Sequence, residues 1–152
     1  MKKNLSLVFG LLLPVTFFFT GCVAGPKDMD RMVQMLERDD PAKFEPVMHS
    51  FVACALNDDI DGMIALTSKV TIKEIGLAKL REHYAKDTVP VLKRFPKMSK
   101  SGSVFYVDDG RGTTGWTYRE DFTSQDGKKA KIQFVVLKEQ GVIGIGSVGL
   151  WK

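Results

Sequence analysis

Two cysteines and two histidines in 152 residues leave little for a metal ion or a nucleophile to use. There is no Cys-x-x-Cys, no His-Glu-x-x-His and no ordered Ser, His and Asp set, so zinc and triad chemistries have no sequence support. Cys22 and Cys54 are too few for a disulfide framework. No internal repeat or low-complexity tract appears. The longest uncharged apolar run, residues 5–19, falls short of the ~20 residues a membrane-spanning helix needs. What remains is a chain for one globular domain, with 44% hydrophobic residues and 22 basic against 18 acidic side chains.

Lys2 and Lys3 precede the apolar run, and Thr20-Gly21-Cys22 follows it. A positive start, a short apolar stretch and small residues before a cysteine are the layout of a cleaved signal. Here the sequence resembles the bacterial lipoproteins, whose lipobox ends in Gly or Ala and then Cys; Phe19 stands where Leu is usual. The resemblance implies a signal peptide over residues 1–21 and acylation, palmitate included, of Cys22 as the first mature residue. Val23 follows in place of the Asp that retains members in the inner membrane. The implied address is therefore the outer membrane, facing the periplasm. The plainer alternative is an uncleaved signal anchor, with Cys22 an ordinary buried thiol. Several acyl chains on one residue anchor a protein effectively for good.

The mature chain has 131 residues and 20 basic against 18 acidic groups, because Lys2 and Lys3 leave with the signal. That near-balance, together with the compartment, argues against nucleic acid as a partner. Cys54 lies in the apolar stretch Phe-Val-Ala-Cys-Ala-Leu and reads as a small buried hydrophobe.

Residues 22–27 form a tether, and residues 28–152 one domain. Helical spacing of Met29, Met32, Val33 and Leu36 predicts a helix over 28–38. Asp40 and Pro41 then suit an N-cap and first helical position. Phe44, Val47, Met48, Phe51, Ala55 and Leu56 make an amphipathic stripe up to residue 56. A short helix is expected over 60–67 and a longer one over 72–95, its buried edge being Leu77, Leu80, Tyr84, Thr88, Val91 and Phe95, with Pro90 kinking or breaking it. The period then changes to two. Strands are expected over 103–107, 114–124, 129–138 and 142–151, with an Asp-Gly hairpin at Asp126-Gly127. The class is α+β: N-terminal helices packed on a curved antiparallel four-stranded sheet.

The Asp-rich turn and small helix (Asn57-Asp58-Asp59-Ile60 onward), the long helix, and the strands carrying Trp116-Thr117-Tyr118 and residues 132–138 resemble the nuclear transport factor 2-like superfamily and its cystatin-like cone. That superfamily includes isomerases, dehydratases, ligand binders and lipid-anchored proteins, so the likeness implies a fold and does not choose a function.

Several residues invite a functional reading. Trp116, Tyr118, Phe122 and Phe134 would line the concave sheet face and hold a small apolar ligand. The competing explanation is that they are simply core. Residues 67–152 carry a net +7 while residues 22–66 carry −5, and Lys93, Arg94, Lys97 and Lys100 occur together without an acid. They either complement a helix dipole or meet an anionic surface. Asn57, Asp59, Asp61 and Gly62 match half of a calcium loop, but Ser68 occupies the place of its bidentate Glu. The same residues can cap a helix. Gly144 and Gly146 leave one strand face bare for close packing, or for a ligand approaching the sheet. The expectation is a non-enzymatic lipoprotein without metal or cofactor, binding a partner protein or a small apolar ligand. The rival is a cone-fold enzyme using His49 or His83 with a carboxylate such as Asp121.

Overall fold

Asp40 opens the described chain as a cap: its carboxylate accepts the Ala42 N–H at 2.9 Å, and Pro41 begins a 3-10 turn over Pro41–Lys43. The computed structural model describes residues 40–109 and 112–151, without the side chains of residues 100–102. The expected signal peptide, Cys22, the tether, the helix over 28–38 and the Lys100 side chain lie outside the described residues.

Helix α1, Glu45–Leu56, buries Met48, Phe51, Val52 and Ala55, one face at period 3.6. Asp59 caps α2, Ile60–Ala65, by accepting the Gly62 N–H at 2.8 Å. Ser68 does the same for α3, Lys69–Ile75, through Thr71 N–H. The expected single helix over 72–95 is broken at Gly76, whose φ of 86° and ψ of 144° end α3 and start α4, Leu77–His83. That break resets the helical phase and leaves Leu77 half exposed instead of buried. Pro90 acts as expected, by a specific route. It has no N–H for the Lys86 carbonyl four residues back, and its ring crowds that oxygen. The chain widens into a π turn over Tyr84–Thr88, where Val89 N–H reaches the Tyr84 carbonyl, before α5, Val89–Arg94.

Four antiparallel strands follow in the order β1 (Lys97–Asp108), β2 (Thr113–Thr123), β3 (Lys129–Glu139) and β4 (Val142–Trp151). β1 starts six residues earlier than its alternation predicts, because an irregularity between Ser99 and Ser103 absorbs Ser101-Gly102 within the strand. The fold is thus α+β, with the helices on the inner face of the sheet. Tyr118, Phe122, Ile132, Phe134 and Val136 alternate inward and pack on Phe44, Met48, Phe51, Leu80 and Leu92. Each fully buried apolar side chain of this size contributes about 1.5–3 kcal/mol.

Two glycines shape the far edge. A Cβ on Gly144 would stand 2.8 Å from Ser68 N and 2.9 Å from Ser68 Cα. The close approach is made by the junction at Thr67-Ser68, not by a helix face. There Ile145 N–H donates to Leu66 O at 2.7 Å and Ser68 N–H to Ile145 O at 2.9 Å, a single parallel bridge on the free edge of β4. Gly146 is skipped in the β3–β4 register, which passes from Val136↔Ile145 to Val135↔Ser147. It is a bulge, so Gly144 and Gly146 do not form the bare face that strict alternation predicts.

Two buried phenols tie the layers together. The Thr67 hydroxyl donates to Met63 O, so the Tyr84 hydroxyl donates to Thr67 Oγ1 at 2.9 Å. Tyr118 donates to Pro41 O at 2.6 Å. Burial pushes both phenols above their ordinary pKa, and the nearby charges of Glu45, Asp40 and Glu120 push Tyr118 further. Folded-state values above the unfolded ~10 favour the neutral form, so their contribution is complete below about pH 10 and lost as pH rises through the folded values. Urea unfolding should therefore show stability falling above about pH 10. Tyr118→Phe should flatten that fall and give up the hydrogen bond to Pro41 at neutral pH.

Candidate functional site

A cavity of about 210 Å³ opens between the helices and the β3–β4 edge. One wall comes from the π turn and α5: His83, Asp87, Thr88, Val91 and Leu92. The other is Ile132 of β3 with Val148, Gly149 and Leu150 of β4. The bulge at Gly146 creates the second wall. Before it, Ile145 faces inward opposite Val136; after it the parity flips, and Val148 and Leu150 face inward opposite Phe134 and Ile132. Without the extra residue, Ser147 and Gly149 would point into the cavity. A shift of one residue exchanges the faces of every later side chain.

The lining is apolar except at one rim. His83 Nδ1 lies 2.9 Å from Asp87 Oδ2, one helical turn on, and both side chains are half exposed or more. An ionised carboxylate only accepts, so Nδ1 carries the proton and, in the neutral ring, Nε2 is left as the acceptor. Thr88 is buried beside the pair. In the β2–β3 register Glu120 sits opposite Ile132, a cavity-wall residue; it is 6% exposed, and its Oε2 has no hydrogen-bond partner.

No protein-family model, no curated protein and no solved structure matches the chain.

Trp116, Tyr118, Phe122 and Phe134 are buried, the last three completely, and Phe122 stacks on Phe134 with centroids 6.0 Å apart. None of the four lines the cavity. They are core, and an apolar ligand would sit beside them instead of on them. Of the residues named for an enzyme, His49 is exposed on α1 and Asp121 lies on the outer face of β2, 3.9 Å from Lys131. Only His83 reaches the cavity, and its carboxylate partner is Asp87. The i, i+4 spacing of His83 and Asp87 on a helix was a signal that could have found the pair.

The basic group also divides. Lys93 and Arg94 occupy the last turn of α5, where they complement the helix dipole; Lys93 pairs with Asp58, and Arg94 lies over the Phe95 ring at 5.4 Å. Lys97 is in β1. Of the three whose side chains are described, only Lys93 and Arg94 stand at the helix end.

The calcium-like residues are engaged within the protein. Asp59 caps α2, the Asn57 amide donates to Ala53 O at 2.9 Å, and Asp61 pairs with Arg81. Asp59→Ala should cost about 1 kcal/mol, the usual worth of an N-cap. Melting curves with and without millimolar calcium should give the same loss.

A second, wider cleft of about 600 Å³ runs between α3 and the β3–β4 turn. The Glu139 carboxylate already takes the Val70 N–H there with both oxygens at 3.2 Å. Cys54 is partly buried, and burial together with the neighbouring Asp59 raises its thiol pKa, which suits an inert thiol.

Proposed function

We propose that this protein is a non-enzymatic, lipid-anchored binder of a small apolar molecule, held at Cys22 in the outer membrane and facing the periplasm. The single observation that carries the reading is the apolar cavity against Leu92, Ile132 and Val148. Its 210 Å³ exceeds the ~150 Å³ with which an engineered apolar cavity takes up benzene. A ligand of one ring, or an equivalent short alkyl chain, matches that volume. The packing of helices on one sheet face supports a cystatin-like cone of the nuclear transport factor 2-like kind. The charged residues before residue 5 and the lipobox ending at Cys22 support the anchor. Among the described residues no helix is long and apolar enough to cross a membrane.

Toluene supplies the test. Mature protein should show a saturable rise in melting temperature, since a ligand bound only by the folded state stabilises it by RT ln(1 + [L]/Kd). Val148→Trp should fill the cavity and abolish the rise while leaving the protein folded. No saturable rise, or a rise that survives the filling, overturns the cavity reading. In cells, Cys22→Ser should leave precursor-sized protein and lose the membrane-bound mature form.

A second reading is favoured by one observation, the hydrogen-bonded His83 and Asp87 at the cavity rim. In a cone-fold enzyme of the isomerase or dehydratase type, Nε2 would take a proton from a substrate held in the apolar cavity. The two readings separate on ligand chemistry. A binder prefers hydrocarbons whatever stands at position 83, whereas an enzyme prefers hydroxyl or carbonyl analogues and loses that preference in His83→Leu.

A further inference from the structure

On the sheet face away from the helices, an arginine lies between aromatic side chains. Arg119 of β2 places its guanidinium carbon 3.6 Å from the centroid of the Trp151 ring and 4.6 Å from that of Phe105. Its Nε donates to Gln133 Oε1 at 3.2 Å. Among the described residues none of these partners is a carboxylate, so the charge is held by π faces and an amide. The rings are 47% (Phe105) and 44% (Trp151) exposed. The arrangement spans all four strands, since Phe105 comes from β1, Gln133 from β3 and Trp151 from β4. Lys131, the register partner of Trp151, stands on the same face, where it lies 3.9 Å from Asp121.

A planar guanidinium held at Nε keeps its outer N–H groups for an external anion, and the fork geometry suits a phosphate. Indole and phenyl rings beside a cation suit the zone between headgroups and acyl chains, where one end of the group is wet and the other apolar. We propose that this face rests on a bilayer, with Arg119 donating to the phosphate of an anionic phospholipid and Phe105 and Trp151 entering the headgroup layer. This rests on the lipid-anchor reading, which also names the occupant. Residues 23–39 are the 17 positions between the acylated cysteine and the first described residue. Fully extended they span at most ~60 Å. The domain is therefore confined near the membrane at high effective concentration, and a weak surface contact is enough to orient it.

The test uses the full chain, produced in a bacterium and reconstituted into vesicles of phosphatidylcholine with or without added phosphatidylglycerol. Trp151 is read as the difference between wild type and Trp151→Phe, since Trp116 is buried and common to both. Quenching of Trp151 by brominated lipid should rise several-fold when phosphatidylglycerol is present. Arg119→Gln should remove that rise while the protein still floats with the vesicles and melts as wild type. Equal quenching in the two vesicles, or a rise unchanged by Arg119→Gln, overturns the proposal and leaves the anchor standing. If the protein does not float with phosphatidylcholine vesicles, the anchor reading fails. The soluble protein is then added to phosphatidylglycerol vesicles: quenching that needs Arg119 supports the face, and its absence overturns it.

Discussion

Phe134→Ala is expected to cost about 3–5 kcal/mol, a large share of the ~5–15 kcal/mol that holds a domain of this size together. Phe134 is fully buried, stacks on Phe122 and stands in register between Tyr118 of β2 and Val148 of β4. Truncation removes apolar area and leaves a void that the strands on either side cannot close. Because Val148 also lines the cavity beside α5, the void opens next to it. Toluene should then recover more stability in Phe134→Ala than in wild type. Lys97→Ala, on an exposed position of β1, should stay within about 0.5 kcal/mol. The midpoints of urea unfolding, at unchanged slope, measure both. A Phe134→Ala protein that unfolds like wild type would show that this face is not packed.

Gly144→Val should be the second severe change. Its Cβ would meet the Ser68 backbone at 2.8–2.9 Å, and backbone cannot turn aside as a flexible side chain can. Relief requires the Thr67-Ser68 junction to withdraw, breaking the two backbone hydrogen bonds to Ile145. Overpacking of about 1–3 kcal/mol plus about 1 kcal/mol for each lost bond gives roughly 3–5 kcal/mol. Hydrogen exchange at Ile145 and Ser68 should accelerate first. Gly149→Ala, with open space around the added carbon, should not produce this effect.

Features carried by local periodicity were legible in the sequence. The stripe from Phe44 to Ala55, the alternation of Ile132, Phe134 and Val136, and the hairpin at Asp126-Gly127 each lie within a dozen residues. Together they specify helices on an antiparallel four-stranded sheet. Alternation also separates Asp121 from the helices: Trp116, Tyr118 and Phe122 share a parity that Asp121 lacks, so Asp121 faces away from the layer in which they pack. Gly76 misled because a single glycine inside a helical pattern is compatible with continuation, and only its positive φ reveals a break. The cavity wall depends on a bulge at one of several glycines, which no local pattern selects. The Arg119 arrangement needs β1 and β4 brought alongside β2 and β3, and that is settled by register alone.

The two edges of the sheet differ in how they are guarded. Part of β4 is covered by the segment at Leu66–Ser68, whereas among the described residues nothing pairs with the outer edge of the 12-residue strand β1, on which Val104, Phe105 and Tyr106 are all exposed. Such an edge is a template for strands from other molecules, and the irregularity between Ser99 and Ser103 interrupts it at one place only. The domain at high concentration should therefore tend to self-associate through β1. A lysine in place of Phe105 would improve its solubility, at the expense of the ring that flanks Arg119.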